Sequence, residues 1–225
     1  MFRLRSIACA VALTGSALAA HAGIIDLFGL PGNFNQNTFG ATGTHYYAQS
    51  VQADDANWAS LRFSVGKTGA GGTFNLLVTK SVAGGLPGTG LRPDDAGVLS
   101  TTQLTHNGLG SQIFDLSLDQ AVVSGDTYFF VLQGVGQTLA GASVLATQFN
   151  GTDKYAAGEF IFSNANVAFA STPGTWNSRF GNGEDLVFRA EFNGGTPSIP
   201  EPGSLMLAAI ALLAAGAIRR SKRSA

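Results

Sequence analysis

Two histidines, His45 and His106, and four carboxylates in the second half, Glu159, Glu184, Asp185 and Glu191, are the residues from which this 225-residue chain would have to assemble an active site. The histidines stand 61 positions apart, outside any H-E-x-x-H pairing, so spacing does not make them joint metal ligands or members of a triad. A polar strand face and a loop account for them. A hydrolytic serine would sit in G-x-S-x-G, and Gly141-Ala142-Ser143-Val144-Leu145 lacks the closing glycine. No G-x-x-x-x-G-K-[ST] phosphate loop is present. Glycoside hydrolysis needs two carboxyl groups about 5–9.5 Å apart across a cleft, and the four acids could supply them only if the fold brought two together. The expectation is therefore a non-enzymatic protein with no catalytic residue and no cofactor, a secreted hydrolase being the lesser alternative.

Two binding chemistries remain as alternatives. Asp54-Asp55, Asp94-Asp95, Asn150 to Asp153 and Asn182 to Asp185 offer carboxylate and amide oxygens that suit a structural calcium ion, and suit ordinary Asx turns equally. Tyr46, Tyr47, Tyr155 and Trp176 lie near Gln49, Asn150 and Asn177, the ring-and-amide mixture of a carbohydrate-binding module. Trp176 and Tyr155 are the candidate glycan contacts. The competing reading is that these rings cap a core.

The elements that would position these residues are strands. Hydrophobic residues make up 45% of the chain and charged residues only 12%, and thirty Gly with seven Pro are too many for a helical bundle. Period-two alternation marks Ser60 to Val65 (Leu61, Phe63 and Val65 inward), Phe74 to Val78, Ile113 to Asp119, Thr127 to Leu132 and Leu186 to Phe192. Thr44 to Val51, Val144 to Phe149 and Glu159 to Phe162 bring the expected total to about eight. The first two alternating segments, joined by Gly69 to Gly72, read as a hairpin, and Ser124-Gly125-Asp126 as a turn between the next two. Ser81 to Gly97, with Pro87 and Pro93, reads as irregular chain crossing between strands or sheets. Half-polar strands in this number call for an all-β fold, an antiparallel sandwich of jelly-roll type.

The two ends differ from this middle. Residues 1–22 place Arg3 and Arg5 before an apolar stretch and finish in Ala20-His21-Ala22, an A-x-A site for signal peptidase. Cys9, the only cysteine, falls inside this leader, so residues 23–196, the expected exported domain, contain neither thiol nor disulfide. After a proline-rich linker from 197, Pro200-Glu201-Pro202 precedes a hydrophobic helix at about 204–218 and a basic finish of Arg219, Arg220, Lys222 and Arg223. The basic cluster is expected to stay cytoplasmic while the helix enters the inner membrane. Without both ends the chain keeps seven basic and thirteen acidic residues, a net charge of −6, which suits neither nucleic acid nor an anionic membrane.

The order of PEP tripeptide, short apolar helix and basic terminus resembles the PEP-CTERM sorting signal of Gram-negative bacteria, also described as an ice-binding-protein-like C-terminal anchor. The resemblance implies an exosortase as partner, a membrane-anchored precursor, and a cell-surface or extracellular destination associated with exopolysaccharide and biofilm matrix. Phe74 to Lys80 with Leu86-Pro87-Gly88, Val123 to Tyr128, and Asp185 to Arg189 resemble the choice-of-anchor modules that precede such tails. These are packing and turn residues, and that resemblance carries over no catalytic residue.

Overall fold

The alternation of large apolar and small polar residues folds as strands because each strand can bury one row of side chains and keep the other wet. The computed structural model describes residues 23–31, 33–84, 90–147, 153–178 and 183–194. The leader, the linker and the C-terminal segment lie outside the described residues. Among the described residues twelve strands run in chain order: β1 Gly23–Asp26, β2 Asn33–Phe39, β3 Tyr46–Gln52, β4 Asn57–Thr68, β5 Gly72–Ala83, β6 Leu91–His106, β7 Leu109–Ala121, β8 Thr127–Gln133, β9 Ala142–Thr147, β10 Phe160–Ser163, β11 Asn177–Ser178 and β12 Phe188–Asn193.

They form two antiparallel sheets packed face to face. The first has the order β1-β12-β4-β9-β2, with β7 on the other side of β4. The second has the order β11-β10-β3-β8-β5-β6. Between them lies one apolar core containing Trp58, Leu61, Phe63, Phe74, Phe130, Phe188 and Phe192, all at most 2% exposed. Ring pairs knit it: Phe63 stacks on Phe114 at 5.4 Å, and Phe74 meets Phe114 edge-on at 5.2 Å. Most connections pass from one sheet to the other, the habit of a jelly roll.

Two expectations about connectivity are corrected. β4 and β5 are not a hairpin, because both edges of β4 are already occupied, by β7 on one side and by β12 and β9 on the other. The Gly69 to Gly71 turn therefore carries the chain to the second sheet. It packs on the next crossing, Asn107-Gly108, where the Gly69 N–H donates to the Gly108 carbonyl at 3.0 Å. Gly108 has φ +79°, and a Cβ there would stand 2.0 Å from the Gly69 oxygen, so only glycine fits. The second correction concerns Ser81 to Gly97. β5 continues to Ala83 and pairs with β6 from Leu91, so the described parts of this stretch are the end of a hairpin within one sheet, Pro93 lying opposite Ser81 beside a register shift, while Pro87 lies outside the described residues.

The two sheets end differently on their outer sides. β8 was expected to bury Tyr128, Phe130 and Leu132, and it does; Phe129 and Val131 are buried as well, on the opposite face. A second apolar cluster, Tyr46, Ala48, Leu77, Phe129, Val131, Ile161, Phe169 and Trp176, covers that face. Residues 164–176, with a 3-10 turn at Phe169–Ser171, form the cover. The outer face of the first sheet stays in water.

Candidate functional site

The chemistry-bearing residues converge at one place, where β3, the approach to β10 and the approach to β12 meet. Gln49 is fully buried on β3. Its Nε2 donates to Asp185 Oδ1 at 2.9 Å and to the Ser50 carbonyl at 3.2 Å, and its Oε1 accepts the Leu186 N–H at 2.8 Å. The other Asp185 oxygen accepts the Tyr155 N–H at 3.0 Å. The backbone of Asp185 is held by β9: its N–H donates to Thr147 Oγ1 at 3.0 Å, and its carbonyl accepts the Thr147 N–H at 2.8 Å. Glu159 and Glu184 are buried beside it, at 3% and 7% exposure, and the Phe160 N–H reaches the Glu184 carbonyl at 3.3 Å.

Burial pushes the Asp185 carboxyl up to about 7, and the negative charges of Asp153 and Glu159 add to the rise. The hydrogen bonds from Gln49 and from the Tyr155 N–H pull the other way without offsetting the desolvation. Tyr155 packs its ring edge-on to Phe188 at 5.7 Å, and its hydroxyl accepts the Gln52 N–H at 2.9 Å. Burial raises that hydroxyl to about 12. The assembly is a polar pin through the core: one amide side chain of the second sheet holds an acid and a backbone N–H that lead into the first.

Of the four acids expected to supply a carboxylate pair, Glu159, Glu184 and Asp185 are thus brought together, but below the surface. Glu191 is elsewhere, on the outer face of the first sheet, where it binds Arg189 at 2.6 Å. That face carries an ionic row fixed by register: Asp26 pairs with Arg189, Arg189 with Arg62, and Arg62 with Asp115. Arg62 and Asp115 form an ion pair, and a cleft of about 350 Å³ lined by Ser60, Arg62, Asp115, Ser117, Arg189 and Glu191 lies over the row.

Both histidines are buried, His45 at 8% in the connection just before β3 and His106 at 1% at the end of β6. The Gly108 N–H donates to His106 Nδ1 at 2.9 Å, which places the ring proton on Nε2, and Nε2 donates to the Val65 carbonyl at 2.9 Å. His106 therefore fastens the β6–β7 corner to β4. His45 Nδ1 lies 3.1 Å from the Gly40 carbonyl.

The rings expected as glycan contacts are core caps. Trp176 is 5% exposed, 5.9 Å from Tyr46 and 6.5 Å from Phe169. Its indole N–H has no acceptor among the described residues. Tyr46 and Tyr47 are buried, and the Tyr46 hydroxyl donates to the Val167 carbonyl at 2.6 Å, pinning the cover. With Tyr155 wedged against Phe188, none of these rings offers the open face that sugar stacking requires.

Where they are described, the acidic segments bond to their own backbone, Asp94 doing so from within β6. Asp94 Oδ1 accepts the Ala96 N–H at 3.1 Å and Asp153 Oδ1 the Tyr155 N–H at 2.9 Å, while Asp55 Oδ1 caps Ala56 at 2.7 Å. Among the described residues no three His, Cys, Asp or Glu side chains are grouped so as to hold a metal ion. Nor is any helix among them long and apolar enough to cross a membrane. The signal cleavage residues Ala20 and Ala22, the tail from Pro200 to Arg223, and Asn150 and Asn182 lie outside the described residues.

Gln49 is the member of the pin whose role was missed: its place near the tyrosines suggested a sugar-binding amide. The available signal was a long amide between Tyr47 and Val51, its two neighbours on the inward row of the strand. Such a group must be hydrogen-bonded inside the protein.

Comparison with known families identifies one segment. Residues 198–223 match the family described as the PEP-CTERM protein-sorting motif. No curated protein matches the chain. The chain thus carries the tail of an exported protein with a membrane-anchored precursor, addressed to an exosortase.

Proposed function

Starting from an exported chain with a PEP-CTERM tail, we propose that the sandwich works as a non-enzymatic building unit of the cell envelope or extracellular matrix, delivered to the surface by exosortase processing and associated with exopolysaccharide there. One observation carries this reading. The side chains that could have done chemistry are spent on holding the fold together: His106 fastens a corner, Asp185 and Gln49 pin the sheets, and Trp176 seals the outer cover. A carboxylate at 1% exposure with both oxygens occupied has no substrate to meet.

The sorting half of the proposal is tested by intact mass and cell fractionation of the full-length chain in hosts with and without an exosortase. Removal of the C-terminal segment only where the enzyme is present, with the protein moving to the surface or the medium, is the expected result. Retention of the tail in both hosts would make the last segment a plain anchor. The matrix half is tested by co-sedimentation of the processed protein with isolated exopolysaccharide, and equal recovery in matrix-free washes would sink it.

A further inference from the structure

The strands at the open side of the sandwich lack the protection that sheet edges ordinarily carry. β6 pairs only with β5, and β7 only with β4, among the described residues. The two edges are consecutive in the chain, joined by the Asn107-Gly108 corner that His106 fastens. Exposed strand edges are usually blunted by charge, proline, bulges or shortness, because their free N–H and C=O groups will pair with any strand that arrives. The first half of β6 has such devices: Pro93, Asp94, Asp95 and register shifts against β5. Then they stop. From Ala96 to Phe114 there is no Lys, Arg, Asp or Glu. β7 keeps one unbroken register against β4 from Leu109 to Ser117, the shift falling only beyond it, at Trp58/Ser60. Leu109 and Ile113 stand on this edge strand with 85% and 59% of their surface in water.

We propose that β7 is a self-association surface, at which a second copy of this chain adds its own β7 antiparallel to the first and joins two sheets into one. The occupant follows from charge and symmetry. Residues 23–196 carry a net charge of −6, so two copies repel over most of their surfaces and meet at least cost where charge is absent. An antiparallel edge pair about a two-fold axis satisfies both free edges with the same residues.

The side chains also select the register. Leu109, Ser111, Ile113, Asp115 and Ser117 share the outward row of β7. An axis at Asp115 would set two carboxylates directly opposite each other, which is destabilising. With the axis at Ile113 the isoleucines face each other, Ser111 faces Asp115, Leu109 faces Ser117, and the whole unbroken segment is paired.

The leader cysteine makes the test direct. In the full-length chain with Cys9→Ser, single cysteines are introduced and treated with a short bismaleimide on the expressing cells, and covalent dimer is read on a denaturing gel. Ile113→Cys is expected to give dimer. Leu109→Cys, although more exposed, is expected to give none, because its symmetry mate lies roughly 27 Å away along the strand. The double variant Leu109→Cys/Ser117→Cys is expected to recover dimer, and adding Ile113→Lys to that double variant is expected to abolish it. Ile24→Cys and Val123→Cys, comparably exposed on other parts of the domain, serve as controls. Dimer from the controls or from Leu109→Cys alone at the Ile113→Cys level, or none from Ile113→Cys, overturns the proposal. The gel reports proximity of copies and nothing of tail processing, so its outcome is independent of the function proposed above.

Discussion

The outer faces of the two sheets solve the same problem in opposite ways. On the first sheet the outward row is Asp26, Arg189, Arg62 and Asp115, with side chains 34–55% exposed, and water covers it. On the second sheet the outward row includes Tyr46, Phe129 and Val131, which need a roof, and residues 164–176 supply it with Phe169 and Trp176. A face in water can be made of charges that contribute little and tolerate change. A roofed face has to be packed, so its residues are as constrained as those of the inner core.

That contrast is most exposed to test at Trp176. Trp176→Ala removes the largest ring of the roof and should cost about 3–5 kcal/mol of unfolding free energy, measured by urea denaturation of the exported protein. A cost comparable to that of a surface substitution would mean that the roof is decoration and the two faces are alike. Gln49→Leu probes the pin between the sheets. It leaves the Leu186 N–H without its acceptor and Asp185 Oδ1 without its donor, and should cost about 2–4 kcal/mol.

A smaller effect should appear as pH dependence. The Asp185 carboxyl holds its proton up to about pH 7 when folded, and releases it near the ordinary aspartate value of 3.8 when unfolded. Between these values the folded chain binds more protons, so the contribution of this group to stability is fully present below about pH 4 and is lost as pH rises through 7. The difference in stability between the native sequence and Asp185→Asn should therefore change across this window and level off above it. A difference independent of pH would show that Asp185 titrates normally. Arg62→Ala, on the wet face, should leave the unfolding midpoint within the scatter of replicate native curves. A clear loss there would mean that the ionic row holds the sheet together and that the contrast between the faces is false.

The same contrast explains what could be read from the sequence. β4, β7 and β12 belong to the one-sided sheet, and their alternation of Leu61, Phe63 and Val65 or of Phe188, Ala190 and Phe192 with polar residues was legible. β8, buried on both faces, showed only half of its environment, because Thr127-Tyr-Phe-Phe-Val-Leu has no polar row to mark the second side. β6 was hidden by Pro93 and Gly97, residues that punctuate loops elsewhere and here sit on an edge where a missing N–H costs nothing. Strand pairing was not legible at all, since Gly69 to Gly72 closes a hairpin or crosses between sheets with the same residues. At the pin, Glu159, Glu184 and Asp185 could be named as acids, but their meeting depends on contacts across the whole domain, such as the bond between Gln49 and Asp185. Trp176 leaves a glycan platform and a core cap equally open in the sequence for a related reason: a tryptophan flanked by Gly, Thr and Asn looks like a solvated loop until the face it closes is known.

β12 lies between β1 and β4, with Phe192 opposite both Gly23 and Trp58, and among the described residues it is the last strand before the sorting tail. Any mechanical load on a tethered molecule therefore enters the domain through β12. A pull along this strand has to shear hydrogen-bond ladders on both sides at once, while the rings of Phe188 and Phe192 drag against the core. The strand that leads into the C-terminal segment is thereby the one placed to resist a pull applied from that end.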